Sequence, residues 1–250
     1  EGIMFMSTPF DLESVVWLND LVPAFKVSSG DNDFNPLLEA VAQTGKPVIL
    51  STGMANDSDI RLASSVLKNA WSTCASSPGL ALLHCVSAYP TPLEEVNLSA
   101  ISELRKYGDV VGYSDHTLGI EIATLSVIAG ARVIEKHFTI DKEYSNFRDH
   151  QLSADPGELK ELVEKVREIS KIYGSSSKKI RESEYETSLA ARRSIVARLD
   201  LEAGSVLSMK NIDWLRPSGG LSPRYTRQVL GRRLKVNVEK GKKIKKMMLE

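Results

Sequence analysis

Two histidines follow apolar runs of the sequence at matching positions, His116 in "VVGYSDHT" and His137 in "ARVIEKHFT". If these runs are neighbouring parallel strands, about 4.8 Å apart, both imidazoles reach one ion at the rim of the sheet. Alternation along a strand puts Ser114 on the face of His116, and Glu135 on that of His137. Two imidazoles completed by water and substrate oxygens suit Mn²⁺ or a similar divalent ion better than structural zinc. The spacing alone is equally compatible with two hydrogen-bonded core histidines.

A lysine stands at the end of another apolar run, Lys26 in "PAFKVSSGD". Such a lysine clamps an anion, forms a Schiff base, or extends its ammonium to the surface. Hydroxyl side chains follow Lys26 at Ser28 and Ser29. Two more end the next apolar run, at Ser51 and Thr52 in "KPVILSTGM". Hydroxyls and backbone N–H groups beside a cation favour anion binding over the other two interpretations.

Three further polar residues have competing interpretations. Asp115 either supports His116 through a hydrogen bond or caps the following helix. His84 lies in the middle of "LALLHCVS", which indicates a hydrogen-bonded core residue. The role of His150, in the loop "SNFRDHQLS", stays open.

Six β-branched or aliphatic runs, each ending in small polar residues, would position these side chains: "GIMFMSTPF", "PAFKVSSGD", "KPVILSTGM", "LALLHCVSAYP", "VVGYSDHT" and "ARVIEKHFT". Amphipathic helical patterns lie between them, the first with Asp11 as its N-cap and the third with Asp57 or Ser58 available as cap. This alternation predicts a parallel α/β sheet whose functional groups meet at the carboxyl ends of the strands. The even spacing, without G-x-G-x-x-G after the first strand, favours a (β/α)8 TIM-type barrel over an open doubly wound sheet. Since only six units are found, we expect two barrel strands to be missing before Glu1.

The character of the chain changes after the helical pattern "DPGELKELVEKVREISKIYG". We predict a partial barrel over residues 1–173, a polar linker over 174–190, and a small β-rich domain over 191–250. The last domain has three short β-like pieces, "RSIVARLDL", "SVLSMKNIDWL" and "RLKVNVEKG", and a faint internal echo between "DLEAGSVL" and "NVEKGKKI".

Composition narrows the class of protein. The 250 residues are 42% hydrophobic and 26% charged, and 32 basic residues balance 32 acidic ones. That balance gives no overall reason to expect binding to nucleic acid or to an anionic membrane. Two unpatterned cysteines, Cys74 and Cys85, suit a reducing compartment, so we expect a cytoplasmic protein. No apolar run approaches the roughly 20 residues that span a bilayer.

The motifs "FMSTPFD", "PAFKVSSGD", "GKPVILSTGM", "LLHCVSAYPTPLEEVNL", "GYSDHTLGIE" and "VIEKHFT" closely resemble the sialic acid synthase family, which includes N-acetylneuraminate, legionaminate and pseudaminate synthases. "RRSIVARLDLEAGSVL" and "WLRPSGGLSP" resemble that family's C-terminal antifreeze-like domain (SAF, a β-clip fold). The resemblance covers nearly the whole chain.

The resemblance implies condensation of phosphoenolpyruvate with an acylamino-hexose to a nine-carbon 2-keto acid, with release of phosphate. It implies a divalent metal, usually Mn²⁺ with Mg²⁺ or Co²⁺ as alternatives, bound by His116 and His137. It also implies a domain-swapped homodimer, in which Arg216 of "RPSGG" enters the active site of the partner subunit.

The remaining site residues follow by matching motif positions. Lys26, Ser29, Ser51 and Ser114 match positions that hold the phosphoenolpyruvate phosphate and carboxylate, whereas Ser87 stands where some members carry asparagine. Tyr89 and Asp149 match sugar-side positions, and Asp149 joins His116 and His137 as a catalytic candidate. "SNFRDH" replaces the commoner "GPDH"-like loop, which leaves the identity of the sugar open. The family's N-terminal portion, with a catalytic glutamate and a further phosphate-binding lysine, is expected upstream of Glu1.

Two alternative functions stay open from the sequence. A non-catalytic or truncated homologue would keep the fold and act as a binding or scaffold protein. A class I aldolase would use Lys26 as its Schiff-base nucleophile.

Overall fold

A computed structural model describes residues 2–72 and 78–250 of the chain, so Cys74 lies outside the described residues. The chain forms two compact units, Glu1–Gly174 and Ser175–Glu250. We describe each unit separately.

The first unit contains a five-stranded parallel sheet in the order β1-β2-β3-β4-β5. Its strands are β1 (Phe25–Val27), β2 (Val48–Ser51), β3 (Leu80–Cys85), β4 (Val110–Asp115) and β5 (Val133–Lys136). Strands that are consecutive in the sequence are neighbours in the sheet, which confirms the predicted parallel α/β architecture. Within the described residues the sheet ends at β1 and β5, so the closed eight-stranded barrel stays a prediction.

The first apolar run does not form the sixth strand that the sequence suggests. Residues 2–9 contain no strand, and Ile3 and Met4 are 86% and 77% exposed. A strand needs a hydrogen-bonding neighbour, and among the described residues this run pairs with none. The prediction of a strand over "GIMFMSTPF" was therefore wrong for this structure.

Helices follow the strands as the periodicity predicts. The helices of the first unit are α1 (Leu12–Leu18), α2 (Asn35–Gln43), α3 (Asp57–Ser72), α4 (Ala100–Glu103), α5 (Glu121–Ala129), α6 (Arg148–Leu152) and α7 (Pro156–Tyr173). Asp11 caps α1 by accepting from Ser14 N, and Asp155 and Glu158 form a capping box at the start of α7. None of the described helices is both long enough and apolar enough to cross a membrane.

One helix cap differs from the prediction. Asn56, rather than Asp57 or Ser58, caps α3, because its Oδ1 accepts from the backbone N–H groups of Ser58 and Asp59. Asparagine is as good an N-cap as aspartate, so the pattern "NDSD" offers several possible caps. The position of the first helical residue determines which of them is used.

Side chains alternate along each strand, so the two faces of the sheet have different surroundings. One face packs against the helices and forms the hydrophobic core, which contains Phe25, Val27, Val48, Leu50, Leu80, Leu82, Val111 and Tyr113 from the strands. The intervening residues, such as Lys26, Cys85 and Ser114, line a cavity on the other face. Full burial of each large core side chain stabilises the fold by about 1.5–3 kcal/mol. The core therefore fixes the strands without using any residue of the cavity.

The second unit contains a two-stranded antiparallel sheet, β6 (Ser194–Ala197) with β7 (Ile212–Leu215), and several isolated bridges. Its own core includes Ile195, Leu207, Ile212, Leu234 and Ile244. Helix α8 (Tyr185–Ala191) begins inside the segment that the sequence predicts to be a linker. A short helix, α9 (Thr226–Val229), follows β7.

The two similar segments of the second unit, "DLEAGSVL" and "NVEKGKKI", make reciprocal contacts with each other. Leu201 and Val238 exchange backbone hydrogen bonds of 2.8 and 2.7 Å. Asp200 Oδ1 accepts from Lys240 N, and the equivalent Asn237 Oδ1 accepts from Ala203 N. The two similar segments thus bind each other through the same positions.

We predict that Gly112→Ala destabilises the first unit. A Cβ atom at Gly112 would lie 2.4 Å from Val133 O and 2.5 Å from Leu83 Cδ2, so β4 and β5 would have to separate. Overpacking of this kind costs about 1–3 kcal/mol, which a lower denaturant midpoint of unfolding would report. Gly30→Ala is the matched control, since its Cβ would meet only Ser28 Oγ, at 3.8 Å. Equal midpoints for the two variants would contradict the prediction.

Candidate active site

A cavity of about 590 Å³ lies at the carboxyl ends of the five parallel strands. It brings together eight of the residues that the sequence singled out: Lys26, Ser29, Ser51, Ser87, Tyr89, Ser114, His116 and His137. These residues come from β1, β2 and β4 and from the segments that follow the strands. The convergence follows from the parallel sheet, because parallel strands all end at the same edge.

Lys26 forms the centre of one end of the cavity. Its side chain is only 12% exposed, and its Nζ donates to Ser51 Oγ at 2.8 Å and to Val27 O at 3.1 Å. Glu135 Oε2 lies 3.5 Å from the same nitrogen. Lys26 is thus held inside the cavity and does not extend to the surface.

A group of hydroxyls lies close to Lys26. Gly53 N donates to Ser29 Oγ at 3.0 Å, and a Cβ atom on Gly53 would come within 2.3 Å of Ser87 Oγ. Only glycine lets the backbone after β2 approach Ser29 and Ser87 this closely. An ammonium beside several hydroxyls is the kind of arrangement that binds anions, so anion binding at this end of the cavity stays a prediction.

The two histidines lie side by side at the other end of the cavity. Their ring centroids are 5.3 Å apart. His116 Nδ1 is 2.9 Å from Val86 O, and because a carbonyl oxygen only accepts, Nδ1 carries the proton. Nε2 of His116 then keeps its lone pair and is available to a metal ion.

Burial favours the neutral form of His137. Desolvation lowers the pKa of His137 below its ordinary value of 6.5, and the neighbouring His116 lowers it further. Asp149 and Glu135 act on this pKa in the opposite direction, but more weakly than burial does. A neutral imidazole is the form that binds a metal ion.

Tyr89 lies against the histidine pair, whereas Asp149 is not among the cavity-lining residues and acts on His137 only through its charge. The Tyr89 ring packs against His116 with centroids 4.2 Å apart, and Arg148 Cζ lies 4.8 Å from the centre of the same ring. Asp149, in α6, has its Oδ1 buried without a hydrogen-bond partner among the described residues. The nearest charge to that oxygen is Arg148 Nε at 3.7 Å. A buried carboxylate oxygen without a hydrogen bond suits a cation or a donor group of a ligand.

The predicted divalent ion would have the imidazoles of His116 and His137 as its protein ligands. The described residues contain no group of three or more His, Cys, Asp or Glu side chains arranged around one metal position. Most of the coordination sphere would therefore be water or substrate oxygens, as expected for Mn²⁺ and not for structural zinc.

Neither interpretation of Asp115 holds in the structure. Its oxygens bind Thr117 and Lys136, so the suggested hydrogen bond to His116 was wrong. The alternation along β4 is the reason, because it turns Asp115 away from the cavity. The following helix, α5, begins at Glu121 without a side-chain cap, so the suggested cap was wrong as well. His84 is hydrogen-bonded, as predicted, with Nε2 2.8 Å from Val96 O, but it is only partly buried.

His150 lies within α6 and is not among the cavity-lining residues. Its Nδ1 is 3.3 Å from Thr139 Oγ1, and its ring lies 5.4 Å from that of Tyr144. These contacts connect His150 to the loop between β5 and α6.

Sequence reasoning missed Glu135 as a site residue. Glu135 accepts from Ser114 Oγ at 2.7 Å and forms the ion pair with Lys26, so it links β1, β4 and β5 across the cavity. Its position two residues before His137, on the same face of the strand, was the available signal. Cys85 also lines the cavity, as a free and buried thiol 3.7 Å from His116 Nδ1.

Arg216 lies in the second unit, directly after β7, and its side chain is exposed. The second unit is described by itself, so the role that the resemblance implies for Arg216 stays a prediction.

Comparison with known proteins places the chain in a family. Residues 1–178 match the NeuB family, and residues 192–250 match the SAF domain. An uncharacterized protein of Methanocaldococcus jannaschii is 50% identical over 240 residues, which cover 95% of this chain and 69% of that protein. N,N'-diacetyllegionaminic acid synthase of Campylobacter jejuni is 44% identical over 234 residues, which cover 92% of this chain and 69% of the enzyme. The chain thus spans about two thirds of the length of these relatives.

A solved structure gives the same result. The crystal structure of N-acetylneuraminic acid (sialic acid) synthetase from Leptospira borgpetersenii, in complex with citrate, is 42% identical with a TM-score of 0.68, over 74% of this chain and 63% of that one. The cavity with its paired histidines lies inside the region that these proteins share. The chain belongs to the NeuB family and carries a C-terminal SAF domain.

Proposed function

We propose that this protein is a nonulosonic acid synthase. It condenses phosphoenolpyruvate with an N-acylamino-hexose, N-acetylmannosamine or a related 6-deoxy diacetamido sugar, and releases phosphate. The observation that carries the proposal is a single cavity that has an anion-binding end around Lys26 and a histidine pair at its other end. The named relatives, a legionaminic acid and a sialic acid synthase, support the same chemistry.

The Lys26 end would hold phosphoenolpyruvate. Lys26, Ser29, Ser51 and Ser114 offer one cation and three hydroxyls to its phosphate and carboxylate, and Ser87 lies beside them. Before the ligand arrives, Glu135 accepts from Ser114 and pairs with Lys26, so these groups are already held in place. The incoming anion would then take over contacts that Glu135 makes in the free protein. Preorganised donors reduce the entropy lost on binding.

The histidine end would hold the sugar. His116 and His137 would bind a divalent ion, Mn²⁺ with Mg²⁺ or Co²⁺ as alternatives, which as a Lewis acid polarises the carbonyl of the sugar. Tyr89 packs its ring on His116 and narrows this end of the cavity. The free Oδ1 of Asp149 is available to orient a sugar hydroxyl.

In the reaction, carbon 3 of phosphoenolpyruvate forms a bond to the carbonyl carbon of the sugar. Water then adds at carbon 2 of the former phosphoenolpyruvate, and the C–O bond to phosphate is lost. The anion-binding end would retain the departing phosphate, while the histidine end holds the oxygen that came from the sugar carbonyl. The two ends of the cavity thus serve the two substrates.

A phosphate-release assay tests the proposal on the full-length protein. The assay supplies phosphoenolpyruvate, Mn²⁺ and a panel of acylamino-hexoses, with chelated and His116→Ala samples as controls. We expect phosphate release only when both substrates and the metal are present. Binding of phosphoenolpyruvate without turnover on any sugar would instead indicate a non-catalytic homologue.

Three predictions follow from the site and its proposed function, and the first concerns the pKa of His137. Because burial lowers the pKa of His137, the native protein holds fewer protons than the unfolded chain just below pH 6.5, so this group makes the protein less stable as the pH falls there. An NMR titration of the metal-free protein should give a midpoint for His137 below 6.5. His116→Gln should raise that midpoint, since it removes the neighbouring imidazole, which lowers the pKa of His137. A midpoint at or above 6.5 in the unaltered protein would contradict this explanation.

The second prediction concerns Lys26. Lys26→Ala should raise the KM for phosphoenolpyruvate at least tenfold and change the KM for the sugar little, because a hydrogen bond to a charged group contributes about 1.5–3 kcal/mol. Lys26→Arg should recover only part of the loss, since a planar guanidinium does not replace an ammonium. Lys106→Ala, which alters an exposed lysine, is the control. A borohydride-stable pyruvyl adduct on Lys26 would support the aldolase mechanism instead.

We also propose a domain-swapped homodimer in which Arg216 completes the site of the partner subunit. The charges of the two units support this proposal: residues 1–174 contain 14 basic and 24 acidic side chains, whereas residues 175–250 contain 18 and 8. Opposite net charges favour association of a second unit with a first unit and make it sensitive to salt.

The third prediction tests this arrangement by complementation. Arg216→Ala and His116→Ala chains should each be inactive, but after subunit exchange the mixture should recover about a quarter of the activity, because half of the dimers have one intact site. Mixing His116→Ala with His137→Ala is the control, since no dimer of those chains has an intact site. If the first mixture stays inactive after verified exchange, Arg216 does not act in trans.

A further inference from the structure

A buried ion pair lies directly behind the two histidines, on the helix-facing side of the sheet. Lys136 and Asp115 are register partners at the ends of β5 and β4, and their side chains are 3% and 0% exposed. Lys136 Nζ lies 2.9 Å from Asp115 Oδ2. Each residue immediately precedes one of the histidines, so the ion pair joins the two strand ends from which His116 and His137 extend.

The same ion pair fixes the chain on the far side of His116. Lys136 Nζ also donates to Thr117 O at 2.6 Å. Asp115 Oδ1 accepts from Thr117 N at 2.9 Å and from Thr117 Oγ1 at 2.8 Å, and Thr117 is fully buried. The backbone of His116 is thus held at the residue before it and at the residue after it.

Stability alone does not account for this ion pair. Removing two charges from water is costly, and apolar side chains of similar size at such positions are often as stabilising or more so. What an ion pair with several hydrogen bonds supplies, and an apolar contact does not, is a defined geometry. Here that geometry includes the separation of the two strand ends and the path of the chain through His116.

We infer that Lys136 is a positioning residue that, together with Asp115 and Thr117, sets the relative placement of the His116 and His137 imidazoles. Lys136 itself faces away from the cavity and contacts no substrate. The metal-binding consequence rests on the proposed function, whereas the placement of the imidazoles does not. Loss of the contacts among Lys136, Asp115 and Thr117 would leave the strands folded. It would allow the His116 ring to lose its hydrogen bond to Val86 O.

The test compares three variants of the full-length chain. Asp115→Asn/Lys136→Met removes both charges together, so that no buried charge is left unpaired. Thr117→Val removes only the hydroxyl contact to Asp115, and it decides the question if the double variant does not fold. Glu161→Gln/Lys165→Met is the control, because it neutralises an exposed ion pair on α7, far along the chain from either histidine.

The first measurement is the ¹⁵N spectrum of the histidine side chains in the metal-free protein. The unaltered and control proteins should show the Nδ1–H tautomer for the neutral ring of His116, as its contact with Val86 O requires. The double variant should show averaged nitrogen shifts for His116, with a smaller change in the same direction for Thr117→Val. Unchanged shifts in the variants that fold would overturn the inference.

The second measurement is Mn²⁺ affinity by electron paramagnetic resonance. Loss of a group that orients a metal ligand typically weakens binding 10–100-fold, and we expect at least a tenfold loss in the double variant and none in the control. Absence of Mn²⁺ binding by the unaltered protein would refute the metal part of the proposed function, while the histidine spectra would still decide the role of Lys136. Full Mn²⁺ affinity in the double variant would count against that role.

Discussion

The register between β4 and β5 is the constraint on which the site depends. It places Ser114 opposite Glu135 and Asp115 opposite Lys136. Because side chains alternate, the first pair lies in the cavity and the second lies behind it. The next residue on each strand then returns to the cavity side, which brings His116 beside His137. A shift of either strand by one residue would turn over the faces of that strand and move its imidazole out of the cavity.

Glu135 connects this register to the other end of the cavity. Its carboxylate accepts from Ser114 on the neighbouring strand and pairs with Lys26 on β1, at the opposite edge of the sheet. Side-chain contacts therefore cross the concave face of the sheet from Lys26 to Glu135. They do so although the two edge strands, β1 and β5, do not pair with each other. The carboxylate of Glu135 lies 3.5 Å from the ammonium of Lys26, so this contact orients the cation of the cavity in the free protein.

The two units also differ in a way that the overall composition conceals. The chain has a formal charge of zero, yet its acidic residues are concentrated in the first unit and its basic residues in the second. Zero net charge is therefore a poor guide to the electrostatic behaviour of this protein. Association that depends on the second unit should weaken as salt concentration rises, since exposed charges are screened over about 8–10 Å at physiological ionic strength.

The sequence by itself determined the parts of the structure that depend on local pattern. Five of the six predicted strands, the helices between them and the cap at Asp11 could be predicted, because apolar periodicity and capping chemistry are local. Parity along the strands also indicated that His116 and His137 share a face with Ser114 and Glu135. His84 was identified as a hydrogen-bonded residue from its place in the middle of an apolar run.

Only the tertiary structure decided which neighbours each side chain has. The run over residues 2–9 is as apolar as the other strands but lacks a pairing partner among the described residues, and pairing is a property of two segments. Asp115 stands next to His116 in the sequence, yet the pleat directs it to Lys136, a residue 21 positions away. Glu135 became a site residue because the sheet brings Lys26 within 3.5 Å of it. Sequence specifies the face on which a side chain lies, whereas only the packed sheet sets the distances across that face.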